Sequence, residues 1–230
     1  ANGVEPIELQ IGNDGIAVMT NAGNDSVDCL ALEDLYALVG PESQGVDRWS
    51  AANGLARELG GRDRLPDLRL DVIGPGEESG TFVSFVELVI EDLSEARGQV
   101  ATTRPDYQAS ADDNVILQGV RGSSTSLGWA GYAFARDAEG VRLLEVDGGD
   151  GCVAPDDSTI SSGEYPISRP LFIYVNKAKA EENPALADFV DFYLSDEGIA
   201  AVAEVGYVPL SDEALAATRE RWRSRSTGPA

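Results

Sequence analysis

Apolar residues in this chain of 230 residues recur in two patterns, as short extended runs and as stripes with helical spacing. Extended runs are typical of β-strands, and they occur at residues 6–10, 16–20, 68–73, 126–130, 141–146 and 169–175. Apolar positions three and four residues apart are typical of helices, and they occur at residues 31–40, 51–59, 82–90, 112–120, 184–194, 197–205 and 212–225. Strands that alternate with helices predict an α/β fold with a parallel-rich sheet.

Finer predictions follow from the same pattern. The glycines in residues 12–15 predict a turn between the first two strands, and residues 169–175 predict a buried strand. Asp28 is a candidate N-cap for the helix that follows it. Val115 and Phe189 each share an apolar helical face with their neighbours, so both are predicted to point inward.

One stretch combines a strand, a glycine-rich turn and a helix. It is DVIGPGEESGTFVSFVELVI, residues 71–90, and Ser79, Gly80 and Thr81 stand where the helix is predicted to begin. A helix N-terminus offers unpaired backbone N–H groups and the positive end of the helix dipole. Gly80 allows close approach to the backbone, and the two hydroxyl groups add donors. This junction can therefore hold an oxyanion without any lysine.

A simpler interpretation of the same junction remains open. Ser79 or Thr81 can serve only as an N-cap, since serine and threonine are favoured at that position. Ser84 and Glu87 also fit a capping box, which would begin the helix about one turn later. The sequence pattern alone does not decide between a helix cap and an anion site.

Charge restricts the classes of partner. The chain carries 40 acidic and 17 basic residues, a formal net charge of −23, in an otherwise ordinary globular composition with 43% apolar residues. Nucleic acid is excluded as a partner, because its phosphates demand a basic face. An acidic surface gives no long-range attraction to an anion. Any bound anion must therefore be held by donors close to it.

The inventory of reactive side chains argues against catalysis. The chain has no histidine, which excludes Ser-His-Asp and Cys-His mechanisms and removes the commonest zinc ligand. It also has no GxSxG motif and no Walker A lysine, so we expect no enzyme and no cofactor. The segment DGGDG, residues 147–151, lacks the spacing of an EF-hand and is predicted to be a turn with no metal.

Two cysteines, Cys29 and Cys152, permit one disulfide and no metal cluster. From the residues alone, a disulfide and two buried thiols are both open. No stretch is long and apolar enough to predict a transmembrane helix, and this chain shows no signal peptide before Ala1.

Five stretches together carry a resemblance to a known family. GPGEESGTFVSFVE resembles the SGT phosphate loop of the phosphate-binding proteins that serve ABC phosphate importers. Four later stretches are similar to the same family, in the same order: DYQASADDNVILQGV, LGWAGYAFA, YPISRPLFIYV and VGYVPLSDEAL. The resemblance covers nearly the whole chain. The chain is therefore identified as a member of the Pst-type family of periplasmic solute-binding proteins.

The resemblance implies a two-lobed fold of the type II periplasmic-binding-protein class. It implies crossover strands at residues 1–20, a ligand-binding α/β lobe with the SGT loop at 21–161, and a return crossover with the C-terminal part of the first lobe at 162–230. Residues 4–20 and 169–175 are expected to run side by side. The family's usual N-terminal lobe segment is expected to be lacking from this chain.

The resemblance also implies the ligand and its residues. Inorganic phosphate would bind between two lobes, and only Ser79, Gly80 and Thr81 carry over as ligands from the family motif. Well-known members have an arginine four residues before this loop, where Pro75 stands here. Arg104, in a stretch RPDY that is similar to the family, is a candidate replacement, with a surface arginine as the alternative.

Two acidic residues beside the loop, Glu77 and Glu78, are expected to disfavour a dianion unless they point outward. In this family's setting outside the cytosol, a Cys29–Cys152 disulfide is also expected.

The resemblance implies a role in transport. The chain would be the substrate-binding component of an ABC transporter for phosphate uptake, a monomer whose partner is the membrane permease. It would be periplasmic or extracellular, or attached by a lipid anchor. Two alternatives stay open: a scaffold or partner-binding domain that keeps the fold without the ligand, and an enzyme that acts on phosphoesters.

Overall fold

The structure is a computed structural model, and it describes residues 3–62 and 64–229. Its strands are β1 (Pro6–Asn21), β2 (Cys29–Ala31), β3 (Asp71–Pro75), β4 (Gln108–Ser110), β5 (Ser126–Gly131), β6 (Val141–Leu143), β7 (Glu145–Asp147), β8 (Cys152–Val153) and β9 (Ser168–Asn176). Its α-helices are α1 (Leu32–Val39), α2 (Asn53–Leu59), α3 (Gly80–Phe85), α4 (Glu91–Arg97), α5 (Asp113–Gly122), α6 (Tyr132–Ala135), α7 (Asp157–Ser162), α8 (Lys177–Glu182), α9 (Pro184–Tyr193), α10 (Asp196–Glu204) and α11 (Asp212–Arg223). Short 3-10 segments occur at Pro41–Ser43 and Trp49–Ala52, and a π-helical turn occurs at Val86–Ile90.

The chain divides into two compact units. The first contains the described residues of Ala1–Asp14, Ile160–Gly163 and Ser168–Ala230. The second contains the described residues of Gly15–Thr159 and Glu164–Ile167. All three residues of the SGT motif therefore belong to the second unit.

The main sheet of the second unit has the strand order β4-β3-β5-β1-β6. Strand β3 pairs in parallel with β4 and β5, with Ile73 opposite both Gln108 and Gly128. Strand β1 pairs antiparallel with β5 and β6. The α/β class predicted from the sequence is confirmed, but the sheet is mixed and not mainly parallel. Since β3 lies inside this sheet, the glycine-rich turn that follows it has a fixed starting point.

A second, smaller sheet has the order β2-β7-β8, with β7 parallel to β2 and antiparallel to β8. Its outer strands carry Cys29 and Cys152, and these two residues form a disulfide with an S–S distance of 2.09 Å. The predicted disulfide is therefore confirmed. It joins strands that lie on either side of β7.

Each unit has its own apolar core. In the second unit the largest fully buried side chains include Tyr36, Trp49, Phe85 and Trp129. In the first unit, β9 pairs with β1, and helices α8, α9 and α11 pack their buried residues on these strands. The members of this core are Ile7, Leu9, Val175, Ala180, Val190, Leu194 and Trp222. The two stretches expected to run side by side, near residues 4–20 and 169–175, do so as β1 and β9.

The predicted turn at residues 12–15 is wrong, because β1 continues through both of its glycines. Asn13 exchanges two backbone hydrogen bonds with Val208, of 2.8 and 3.0 Å, which keep this part of the strand extended. Gly12 is explained by packing, since a Cβ there would lie 3.3 Å from a methyl group of Val202.

Residues 141–146 form two strands instead of the single strand that the pattern predicts. β6 belongs to the main sheet and β7 to the small sheet. Leu144 stands between them, fully buried, and its backbone N–H donates to the carbonyl oxygen of Val18 at 2.8 Å. The segment predicted as one strand therefore contributes to two sheets.

Three finer predictions are also corrected. Val115 and Phe189 are exposed, because the buried faces of their helices are formed by neighbouring apolar residues. Strand β9 is mostly half-exposed along its length. The N-cap of α1 is Ala31 and not Asp28, and the carboxylate of Asp34 accepts the Ala31 N–H at 2.9 Å.

Candidate functional site

The SGT motif stands at the start of a helix. Ser79 is the N-cap of α3, and its Oγ accepts the backbone N–H of Thr81 at 3.1 Å. The later capping box is wrong, because the hydroxyl of Ser84 donates to the carbonyl oxygen of Gly80 at 2.8 Å. A serine hydroxyl that accepts one hydrogen bond keeps its own O–H for another acceptor. Capping and anion binding are therefore compatible at Ser79.

The helix behind the motif is longer than α3 alone. Its backbone continues from Gly80 through the π-helical turn Val86–Ile90 and into α4, which ends at Arg97. Phe82, Phe85, Val89 and Ile90 form its buried face. This packing fixes the direction of the helix axis, so the N-terminal N–H groups have a defined orientation at Gly80.

Gly80 leaves the helix start uncovered. It is exposed, and a Cβ placed on it would meet no atom of the described residues within 4 Å. Neither packing nor a left-handed backbone conformation therefore requires glycine at this position. The bare backbone allows a ligand oxygen to approach the N–H groups closely.

Aromatic residues support the strand that leads into the motif. A Cβ on Gly74 would lie 2.5 Å from the indole ring of Trp129, so only glycine fits beneath this ring. Trp129 stacks on Phe85 with ring centroids 4.7 Å apart, and its centroid lies 5.3 Å from that of Tyr107. The hydroxyl of Tyr107 donates to the carbonyl oxygen of Pro75. These contacts hold the beginning of the loop against the core.

A cavity of about 470 Å³ lies beside this loop in the second unit. It is lined by Gly76, Glu77, Glu78, Phe82, Thr102, Thr103, Arg104, Pro105, Tyr107 and Ala109. The structure therefore brings Arg104 to the same cavity as the loop that leads into Ser79. Thr102, Thr103 and Tyr107 add hydroxyl groups that the sequence patterns did not single out.

Arg104 is not a surface arginine, because only 4% of it is exposed. Its Nε and Nη2 atoms donate to the two carboxylate oxygens of Asp106, at 2.7 and 2.8 Å. Its Nη1 donates to the carbonyl oxygen of Val46 at 2.7 Å. The guanidinium is therefore held rigidly at the cavity wall, and much of its charge is neutralised by a carboxylate.

The pKa of the Asp106 carboxyl reflects this arrangement. The Arg104 guanidinium, together with the backbone N–H of Gly45, lowers the pKa of the Asp106 carboxyl to about 2. Hydrogen bonds to the ionised form favour it, so the pair is charged on both sides at neutral pH.

Glu77 and Glu78 are both exposed and both line the cavity, so the structure does not turn them away from it. The Glu78 carboxylate folds back over Gly76, where a Cβ would meet its oxygen at 2.5 Å. Burial raises the pKa of the Tyr107 hydroxyl, and the charges of Glu78 and Glu77 raise it further. The cavity therefore combines neutral donors with nearby negative charge.

The DGGDG segment forms a turn built on its first aspartate. The Oδ1 atom of Asp147 accepts the backbone N–H groups of Gly149 and Gly151, at 2.8 and 3.0 Å. These two donors lower the pKa of the Asp147 carboxyl.

Comparison with known proteins shows which family the chain belongs to. Residues 1–197 match a family model described as the PBP superfamily domain. The chain belongs to the PBP superfamily. Among solved structures, it is similar to one described as a possible phosphate binding protein from Planctomyces limnophilus, with a TM-score of 0.77 and 32% identity. That similarity covers 96% of this chain and 73% of the other, and it confirms the fold that the resemblance implied.

Curated relatives point to the same branch of the PBP superfamily. The chain is 39% identical to Protein SphX of Synechocystis over 217 residues, which cover 93% of this chain and 59% of the relative. It is 29% identical to the phosphate-binding protein PstS of Staphylococcus saprophyticus, over 90% of this chain and 59% of that protein. The chain thus spans about three fifths of the length of the curated relatives it matches. The predicted resemblance to Pst-type phosphate-binding proteins is confirmed.

The sequence patterns missed several residues around the SGT motif in this PBP-superfamily chain. Trp129 and Tyr107 lie in later stretches, and neither has a motif that connects it to residues 74–76. The signal for Asp106 was present in the RPDY stretch, since an aspartate two residues from an arginine can form a bidentate pair. The sequence does not show that Arg104 is buried in this pair.

Proposed function

We propose that this chain binds inorganic phosphate as the substrate-binding component of an ABC transporter for phosphate uptake. The observation that carries the proposal is the SGT motif at a bare, exposed helix start beside a cavity with hydroxyl donors. The names of similar proteins, which include phosphate-binding proteins, support it. In this proposal Ser79, Gly80 and Thr81 hold the phosphate oxygens.

The chemistry of the site suits a small, strongly hydrated oxyanion. Backbone N–H groups and hydroxyl groups donate to its oxygens, and the helix dipole favours its negative charge. Arg104 contributes as a fixed, partly neutralised cation at the cavity wall. Neutral donors of this kind select by geometry and by protonation state more than by net charge.

The wider role follows from the same proposal. The partner is the membrane permease, the protein acts as a monomer outside the cytosol, and it releases phosphate unchanged instead of catalysing a reaction. None of the helices in the described part of the chain is long and apolar enough to cross a membrane. Contact with the membrane is therefore proposed through the permease or a lipid anchor. The division at residues 20 and 161 is likewise proposed as the functional boundary of the ligand-binding lobe.

A second candidate function has its own supporting observations. Glu77 and Glu78 line the cavity, and Arg104 is already paired with Asp106. Both features weaken the attraction for a dianion. They favour a scaffold or partner-binding domain that keeps the fold and has lost the ligand, so this alternative needs a direct test.

Titration calorimetry separates the two functions. Phosphate, and sulfate as a matched oxyanion, are titrated into this chain and into the longest protein that its gene encodes. The transport proposal expects phosphate to bind to the longer protein and sulfate to bind much more weakly. Because the chain spans only about three fifths of its curated relatives, weak binding or none is expected for the chain alone. Absence of phosphate binding in both proteins would favour the scaffold.

A further inference from the structure

The disulfide lies against a cationic side chain. The Nη1 atom of Arg62 lies 2.8 Å from Sγ of Cys152 and 3.5 Å from Sγ of Cys29. Both cysteines are half-buried, so small solutes reach this part of the small sheet. The contact is asymmetric, because the guanidinium is closer to one sulfur than to the other.

The position of Arg62 is set by its own backbone. Its N–H donates at 3.1 Å to Oδ1 of the buried Asp34, whose other oxygen accepts the Ala31 N–H. Gly61 packs on the same carboxylate, and a Cβ there would lie 2.5 Å from Asp34 Oδ1. The loop that carries Arg62 is thus anchored to the start of α1. This anchor fixes the Arg62 backbone, and the exposed side chain also lies 3.5 Å from the carboxylate of Asp147.

Among the described residues, two carboxylates also lie close to the sulfurs. Asp147 lies on the small sheet with Oδ2 3.5 Å from Arg62 Nη1, and its other oxygen is engaged by two backbone N–H groups. A carboxylate oxygen of Glu145 lies within 4.8 Å of both sulfurs. These carboxylates disfavour a negative sulfur, whereas Arg62, at hydrogen-bond distance, favours one. The unequal distances from Arg62 Nη1, 2.8 Å to Cys152 Sγ and 3.5 Å to Cys29 Sγ, favour negative charge on Cys152.

We propose that Cys29 is a site of reversible modification by low-molecular-weight thiols, with Cys152 as the leaving group. A thiolate attacks Sγ of Cys29 and forms a new S–S bond, and the Cys29–Cys152 bond breaks. The electron pair of the broken bond stays on Sγ of Cys152 as a thiolate, next to the Arg62 guanidinium. The exchange needs no oxidant, and the incoming thiol has already lost its proton to solvent.

The size of the preference follows from the leaving group. A hydrogen bond to a charged group changes an equilibrium by about ten- to a hundredfold. Exchange rates respond to leaving-group stability with roughly half of that effect on a logarithmic scale. We therefore expect attack at Cys29 to exceed attack at Cys152 by about three- to tenfold.

The test uses 2-mercaptoethanol, a neutral thiol, because a charged one would respond to the net charge of −23. The folded, oxidised protein is exposed briefly, the released thiolate is trapped with N-ethylmaleimide, and peptides are analysed by mass spectrometry. The expected product carries mercaptoethanol on Cys29 and maleimide on Cys152. Equal adducts on both residues, a majority on Cys152, or no adduct in folded protein would each overturn the proposal.

Substitutions of Arg62 test whether this residue causes the preference for Cys29. Arg62→Gln is expected to bring the adduct ratio close to one and to slow the reaction by a similar factor, whereas Arg62→Lys retains part of the preference. Arg69→Gln is the matched control, because Arg69 is an exposed arginine paired with Asp71, and it should leave the ratio unchanged. Thermal unfolding checks that the variants fold. A preference that persists in Arg62→Gln, or in urea-unfolded protein, would show that the local sequence causes it and would overturn the proposal.

Discussion

At the residue scale, the candidate site shows single side chains that are engaged in structure and still available to a ligand. Ser79 caps the helix through its oxygen and keeps its hydroxyl hydrogen. Arg104 lies at the cavity wall, yet a carboxylate and a carbonyl oxygen hold it in place. Thr81 differs from both, because its hydroxyl is not needed to cap the helix. Binding is therefore tested most cleanly at Thr81.

Thr81→Val removes one hydroxyl donor and nearly keeps the shape of the side chain. If phosphate binds at the motif, affinity should fall by about ten- to a hundredfold, the equivalent of one hydrogen bond to a charged group. Titration calorimetry on the longest available protein measures the phosphate affinity. Thr125→Val is the matched control, since Thr125 is similarly half-buried but lies outside the SGT motif. Equal affinity in wild-type and Thr81→Val protein would show that the motif only caps the helix.

Asp106→Asn tests the pair at the cavity wall. Asp106→Asn leaves the buried guanidinium of Arg104 without its carboxylate, and because the Asp106 side chain is 36% exposed we expect a loss of only about 1–3 kcal/mol in unfolding free energy. Urea denaturation measures the loss, with Asp67→Asn in an exposed pair as a control that should change the unfolding free energy much less.

The same pair gives a pH dependence of defined sign. The folded pKa of Asp106 is lowered to about 2, so its stabilisation is complete above the ordinary aspartate pKa of about 4. It is lost as the pH falls from about 4 to about 2. The stability difference between wild type and Asp106→Asn should shrink over that interval. A difference that stayed constant from pH 6 to pH 2 would contradict the charged pair.

At the scale of elements, the strand–turn–helix unit is positioned by packing on both of its sides. β3 lies between β4 and β5, and the helix that follows buries one apolar face. Trp129, from β5, fills the space next to Gly74 and stacks on Phe85 of the helix. The turn between strand and helix is thus supported by a residue of a third element.

Two glycine substitutions test whether packing requires glycine at each position of this strand–turn–helix segment. Gly74→Ala would place a methyl group 2.5 Å from the Trp129 ring, so we expect a loss of about 1–3 kcal/mol in unfolding free energy. Gly80→Ala meets open space, and stability should stay equal or rise by up to about 1 kcal/mol. Urea denaturation compares the two variants. A destabilised Gly80→Ala protein would contradict the bare helix start described here.

At the scale of the whole molecule, the dominant property is acidity. The net charge of −23 gives a repulsive field for any anion, and Arg104, the basic residue that lines the cavity, is already paired with Asp106. A site under these conditions must rely on short-range donors, since exposed charges are screened within about 10 Å at ordinary salt. The molecule therefore differs from anion-binding proteins that attract their ligands through a basic surface.

Salt dependence tests this property. Raising sodium chloride from about 50 to 500 mM should change phosphate affinity by less than about threefold, because local donors persist while the repulsive field is screened. The unfolding free energy should rise over the same range, since screening relieves repulsion between like charges. Calorimetry and urea denaturation at matched salt concentrations measure both. A steep loss of affinity with salt would instead indicate a cationic site.

The sequence by itself determined the features that depend on neighbouring residues. The periodicity of apolar residues predicted an α/β chain, and glycine and hydroxyl residues marked the junction at Ser79–Thr81, because local backbone preferences follow local sequence. The resemblance added the pairing of Cys29 with Cys152, which the structure confirms. These predictions are correct because none of the features depends on which residues pack against it.

The tertiary structure alone decided what surrounds that junction. It buried Arg104 against Asp106, brought Trp129 beside Gly74, and kept Glu77 at the cavity. It also keeps β1 extended where the sequence predicted a turn, because the backbone of Val208, late in the chain, supplies hydrogen-bond partners. The burial of Arg104, the position of Trp129 and the path of β1 depend on contacts between residues far apart in sequence. Burial and long-range pairing, and not local preference, set the electrostatics of the candidate site.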